Sequence, residues 1–92
     1  MLMNWKTPKF KKLVKALISI KKEVDMQNFL RDLCTLEELE EISNRWKAAE
    51  LLNKGMPYRE VAEKTKMSTT TVTRIAHWIK HGEGGYKKSL EK

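Results

Sequence analysis

The sequence predicts a small, all-α domain of about five to six helices. Apolar residues recur at helical spacing along most of the chain, and no segment shows the two-residue alternation of a strand. Capping residues, prolines and glycines stand where the periodic segments begin and end. The 92 residues fit one domain, 1–92. Because so short a domain buries little apolar area, pairing two chains would add stability.

The N-terminal segment, residues 7–34, predicts two helices that would form the body of a dimer. Pro8 suits the first turn of an amphipathic helix that continues to Ile20, and its lysines lie largely opposite the apolar positions. Such basic helices can lie on membranes, but a chain short of core favours packing on another helix or on a partner subunit. Asp25 is predicted to cap a second short helix that ends near Leu33.

A central helix is predicted over 35–55, and it is the most clearly marked element. Thr35 and Glu38 form a capping box, and Gly55 supplies a stop. Its apolar stripe comprises Leu36, Leu39, Ile42, Trp46, Ala49 and Leu52. Residues 57–80 follow as a short helix, an interruption and a longer helix, and residues 82–92 form a tail or a short helix.

Charge is unevenly distributed over the chain. Residues 1–22 carry seven lysines and no acidic residue, residues 23–50 are net acidic, and residues 51–92 are net basic. Basic segments attract polyanions such as nucleic acid, so this distribution favours a nucleic-acid partner.

Several classes of protein are disfavoured. The single cysteine, Cys34, excludes an intramolecular disulfide and is expected to be a buried, inert thiol. No apolar run is long enough to span a membrane and no cleavable signal is recognised, so a cytoplasmic protein is expected. His77 and His81 could share a helical face but lack a carboxylate or thiol at defined spacing. We therefore predict no enzyme activity, no cofactor and no metal site.

Residues 57–80 predict a helix-turn-helix. Val61 and Ala62 of the first helix would face Val72 and Ile75 of the second, which leaves the other side of the second helix free. That side carries hydroxyl groups and Arg74, which can bond base edges and phosphates in the major groove of DNA. The turn has Lys66 where glycine is common, at a cost of about 1 kcal/mol if φ is positive there.

The predicted DNA-binding residues comprise a reading face and flanking phosphate contacts. The alternative is an ordinary helical hairpin whose polar face is only solvated. Against it, four consecutive hydroxyl residues are poor helix formers, so their presence at a helix start favours a functional reason. The predicted set is Arg59, Lys64, Lys66, Ser68, Thr69, Thr70, Thr73, Arg74, His77 and Lys80.

Residues 25–81 resemble the tryptophan repressor family, and especially its short, related YerC/YecD-type branch of bacterial proteins. Arg59-Glu60 and Thr71-Val72-Thr73-Arg74 are the most specific matches, and the run from His77 to Tyr86 is typical of that branch. The resemblance implies an intertwined homodimer that places two recognition helices in successive major grooves of a palindromic site.

In that family tryptophan is the corepressor, and the resemblance implies an effector pocket at Thr35, Arg45 and Arg74. The family glycine that follows the recognition-helix arginine is Ile75 here, and its branched side chain would occupy the space of the indole ring. Binding of tryptophan is therefore not expected.

The sequence thus predicts a DNA-binding transcriptional regulator, repressor-like, that reads double-stranded DNA as a homodimer. The alternative is a helical module that docks on a protein or on RNA without sequence-specific DNA readout.

Overall fold

The structure, a computed structural model, describes residues 4–92, and these form six α-helices and no strand. The chain is an all-α protein that divides into two compact units, one that ends at Leu36 and one from Glu37 to Lys92. The helices are α1 (Pro8–Ser19), α2 (Glu23–Leu33), α3 (Leu36–Asn53), α4 (Tyr58–Thr65), α5 (Thr69–His81) and α6 (Gly85–Leu90).

In the first unit, α1 begins with a side-chain cap. The hydroxyl oxygen of Thr7 accepts a hydrogen bond from the backbone N–H of Phe10 at 3.2 Å, and Pro8 occupies the first turn, where a missing N–H costs nothing. The predicted cap of α2 was wrong. This helix already begins at Glu23, after Lys22, so Asp25 lies inside its first turn. The carboxylates of Glu23 and Asp25 there stabilise the helix through its dipole, without a side-chain cap.

Neither α1 nor α2 contains a buried residue, although both are amphipathic. Ile18 is 73% exposed and Val24 is 56% exposed. The single thiol, predicted to be buried, is only half-buried at Cys34. The apolar faces of the first unit are therefore largely open to solvent.

The core of the second unit lies where α3, α4 and α5 meet. Ala48 and Ala49 of α3 are fully buried, and their small side chains let the other helices pack closely. The N-terminal half of the predicted α3 stripe is different, since Leu36 and Ile42 are both more than half exposed. The stripe is thus continuous in sequence but only its C-terminal part joins this core.

Glycine ends α3 as the sequence indicates. Gly55 has a φ of +89°, a left-handed conformation that costs glycine little, and its N–H donates to the carbonyl of Leu52 at 3.0 Å. The N–H of Met56 donates to the carbonyl of Leu51 at 3.2 Å. These two bonds satisfy the last carbonyls of the helix and turn the chain towards α4.

The last helix, α6, packs on the same core. Tyr86 stacks on Trp46 of α3, with ring centroids 6.4 Å apart and planes 10° apart, and Leu90 also contacts the core. Burial raises the pKa of the Tyr86 phenol above its ordinary value, while the positive charge of Arg45 partly opposes this. The ring therefore stays neutral in its packed position at physiological pH. None of the helices in residues 4–92 is long and apolar enough to cross a membrane.

Candidate nucleic-acid interface

Helices α4 and α5 are held together by a small buried cluster. Val61 of α4 and Val72 and Ile75 of α5 are fully buried, and Ala62 of α4 is 8% exposed. Burial of each of the three branched side chains stabilises the pair by about 1.5–3 kcal/mol. This apolar contact fixes the direction in which the opposite side of α5 points.

The turn between the two helices has the geometry that normally favours glycine. Lys66 has φ 58° and ψ 29°, and it is the one residue other than glycine with positive φ among residues 4–92. Its N–H and that of Met67 both donate to the carbonyl of Ala62, the latter at 3.1 Å. Buried Thr65 donates its hydroxyl to the carbonyl of Val61 at 2.7 Å. These three hydrogen bonds hold the turn, at the cost of a strained lysine.

Helix α5 is capped by Ser68. Its hydroxyl oxygen accepts a hydrogen bond from the N–H of Thr71 at 3.1 Å, and the hydroxyls of Ser68 and Thr71 lie 2.9 Å apart. Part of the hydroxyl run therefore has a structural role, since Ser68, one of the two cap residues that the sequence indicates with Thr69, caps α5.

All ten residues of the predicted DNA-binding set are exposed. They include three side chains on one side of α5 that differ in their freedom to bond. The hydroxyl of Thr73 donates to the carbonyl of Thr69 at 2.8 Å, so this side chain offers its methyl group and one acceptor oxygen. Within residues 4–92, the Thr70 hydroxyl and the Arg74 guanidinium make no hydrogen bond or ion pair. Thr70 and Arg74 therefore keep their donor groups free, whereas Thr73 does not.

Lys66 stands apart from the other basic residues of the set. It lines a cavity together with Glu37, Glu40 and Glu41 of α3. The negative charge of these carboxylates repels a phosphate group and would weaken a contact between Lys66 and a phosphate. The acidic stripe at spacing i, i+3 and i+4 in α3 is the sequence signal that could have indicated this.

The residues of the implied effector pocket are placed as follows. Ile75 is fully buried in the core, Arg74 is exposed, and Arg45 forms an ion pair with Glu41 at 3.3 Å. The Nε atom of Arg45 is buried without a hydrogen-bond partner. Thr35 belongs to the first compact unit.

Sequence reasoning missed the contribution of the C-terminal segment. Tyr86 and Leu90 reach the core from α6, in a stretch for which only a tail or a short helix was predicted. The signal was present, because two apolar residues four positions apart lie on one helical face.

Comparison with known proteins identifies the family. The sequence model of the family described as Trp repressor protein matches residues 8–92. The chain belongs to the Trp repressor protein family. The match covers both compact units and confirms the resemblance on which the fold prediction rested in part.

Individual proteins are also similar to this chain. "Uncharacterized protein YerC" of Bacillus subtilis (strain 168) is 28% identical over 80 residues, which cover 87% of this chain and 77% of that protein. A crystal structure of a TrpR-like protein from Eubacterium eligens ATCC 27750 is 32% identical with a TM-score of 0.87, over 94% of this chain and 89% of that one. The crystal structure of a candidate Trp repressor from Staphylococcus aureus shares the fold, with a TM-score of 0.86 and 23% identity. The similarity covers 94% of this chain and 86% of that one.

The strained turn leads to a prediction about stability. Lys66→Gly should raise the free energy of unfolding by about 0.5–1 kcal/mol, because glycine adopts positive φ without the steric cost that lysine incurs. Urea unfolding followed by circular dichroism measures the change.

Lys64→Gly is the matched control. It makes the same chemical change two residues earlier, at an exposed position inside α4, and should lower the free energy of unfolding by about 0.5–1 kcal/mol. Equal effects of the two substitutions would contradict the strain assigned to Lys66.

Proposed function

We propose that this Trp repressor family protein is a sequence-specific double-stranded DNA-binding transcriptional regulator, repressor-like, that acts as a homodimer in the cytoplasm. The supporting observation is the division of α5 into two sides. Val72 and Ile75 are fully buried on one, whereas Thr70, Thr73 and Arg74 are exposed on the other. A helix held in this way can enter the major groove with its polar side towards the bases.

The exposed side chains suit base recognition. A guanidinium such as that of Arg74 can donate two hydrogen bonds to the O6 and N7 atoms of guanine, which no other base pair accepts in the same pattern. The methyl group of Thr73 can pack on the methyl group of thymine, since its hydroxyl proton is already donated within α5. Arg74 and Thr70 would therefore supply most of the sequence preference.

Basic residues beside this face would contact the phosphate backbone. Arg59, Lys64 and Lys80 are exposed and carry no ion pair within residues 4–92. Such contacts add affinity that falls with salt and carry little sequence information. Lys66 would contribute less than Lys64, because three glutamates share its cavity.

The open apolar surfaces support a homodimer. Leu33 is 51% exposed, Leu36 64% and Ile42 54%, and neither helix of the first unit buries a residue. A domain this small gains stability if such side chains are covered by another copy of the chain. A two-fold axis would then present two copies of α5 to palindromic half-sites about one helical turn apart.

Charge also favours association of two copies. The lysine-rich segment 1–22 and the acid-rich start of α3 have opposite charges, with no acidic residue in the former and Glu37, Glu38, Glu40 and Glu41 in the latter. Electrostatic attraction between these segments of different copies would speed encounter and orient the chains.

The regulator would not use tryptophan as corepressor. Ile75 is fully buried and belongs to the cluster that joins α4 to α5, so an indole ring could enter its space only at the expense of core packing. Arg45, one of the three residues that the family resemblance implies in effector recognition, forms an ion pair with Glu41.

Substitutions on α5 test sequence readout, once binding sites have been selected from a random DNA pool with the purified protein. Arg74→Ala or Thr70→Ala should weaken binding to the selected site by about 1–3 kcal/mol and relax base preference, because contacts with base edges are lost. Lys64→Ala should instead lower the slope of log affinity against log salt by about 1, with base preference unchanged.

Lys47→Ala is the control, since Lys47 is an exposed lysine of α3 outside the predicted interface. If Arg74→Ala discriminates selected from random DNA as well as the unsubstituted protein does, the assigned reading face is wrong. Equal competition by duplex RNA at matched salt would favour an RNA-interaction module instead.

The oligomeric state tests the dimer. Sedimentation equilibrium should give twice the chain mass of 10.8 kDa, and Ile42→Glu should shift the protein towards the monomer, because a charge would be buried in the contact. Ser43→Glu, at the exposed neighbouring position, should leave the mass unchanged. A monomer at micromolar concentration without any substitution would rule out the homodimer.

Calorimetric titration tests the effector. Addition of L-tryptophan should give no binding heat, because the core fills the space for the ring. Micromolar affinity for tryptophan would show that the site exists despite Ile75.

A further inference from the structure

The C-terminal turn of α5 brings the two histidines of the chain together. His77 and His81 are four residues apart, and their ring centroids lie 4.8 Å apart with the planes inclined by 44°. Residues with this spacing share one helical face, and two histidines so placed form a common pair of metal ligands. Both side chains are exposed, so an ion can reach them from solvent.

The separation of the rings matches a bidentate chelate. A metal ion bound by one nitrogen of each ring at about 2.0–2.1 Å, with an N–metal–N angle of about 90–110°, places the ring centroids about 4.5–5.2 Å apart. The observed 4.8 Å falls within that interval. Rotation of an exposed imidazole about its terminal torsion is easy, so either nitrogen can face the ion.

The ring nitrogens are available, and a carboxylate stands nearby. Within residues 4–92, neither histidine forms a hydrogen bond or an ion pair. Both rings line one open cavity with Glu83, whose negative charge favours a cation and partly offsets Lys80 on the same helix. No group of three or more His, Cys, Asp or Glu side chains in residues 4–92 could hold an ion, so water would fill the remaining positions.

We propose that His77 and His81 form a two-imidazole site for a late first-row divalent transition ion such as zinc, nickel or copper. Imidazole suits these ions, whereas Mg²⁺ prefers oxygen ligands. The bound ion links consecutive turns at the end of α5 and adds positive charge beside the predicted DNA-reading face, to which His77 belongs. The site needs no DNA for its formation, so it can be tested whether or not the protein binds DNA.

Titration calorimetry with ZnCl₂, on the full-length protein in a buffer that does not bind zinc, tests the site. We expect one ion per chain with a dissociation constant in the micromolar range, and no heat with MgCl₂. His77→Gln and His81→Gln should each weaken binding about a hundredfold, because the second imidazole then no longer binds within the same molecule. Both positions are exposed, and circular dichroism checks that the variants remain folded.

Cys34→Ser is the matched control. Cys34 is the one cysteine of the chain, and a thiolate is the other side chain besides imidazole that commonly binds zinc. The affinity of this variant for zinc should equal that of the unsubstituted protein. Three results would each overturn the chelate: no binding in the micromolar range, unchanged affinity in both histidine variants, or a stoichiometry of one ion per two chains.

Discussion

The packing of α4 on α5 is the constraint on which the rest of the second unit depends. Val61, Val72 and Ile75 are fully buried, and two buried alanines of α3 let these helices approach closely. Because this contact fixes the rotation of α5 about its own axis, it decides which residues face solvent. The same contact tolerates a left-handed lysine at position 66, since the turn must be tight enough to bring the two helices into register.

Side chains of the same type in the sequence also differ in their hydrogen bonds and surroundings in the structure. Ser68 caps α5 and Thr73 donates its hydroxyl within the helix, whereas Thr70 keeps its hydroxyl free of intramolecular bonds in residues 4–92. Lys64 and Lys66 are both exposed, but three glutamates line the cavity of Lys66 alone. The residues of the proposed interface are therefore expected to contribute differently to DNA binding. Arg74 and Thr70 would supply base preference, the lysines proposed to contact phosphates would supply affinity, and Lys66 in the strained turn would supply less.

The first unit has a different character. Its two helices are amphipathic but contain no buried residue. The sequence of residues 1–22 has seven lysines and no acidic residue. A surface of this kind is unfavourable for an isolated small domain, because exposed apolar side chains remain hydrated. Together with the open N-terminal half of the α3 stripe, it explains why a second copy of the chain is a natural partner in our proposal.

The sequence by itself determined the all-α class, the family and the approximate extent of the helices, including the glycine stop at Gly55. These features depend on local periodicity, caps and turn residues, which act over a few positions. The same local reasoning misplaced the cap of α2, because Asp25 is favourable both as a cap and inside a first turn. Only the tertiary structure decided that Ala48 and Ala49 are buried while Ile42 is exposed, that glutamates of α3 line a cavity with Lys66, and that Tyr86 packs on Trp46. Each of these depends on which helices meet, and periodicity within one helix carries no information about its neighbours.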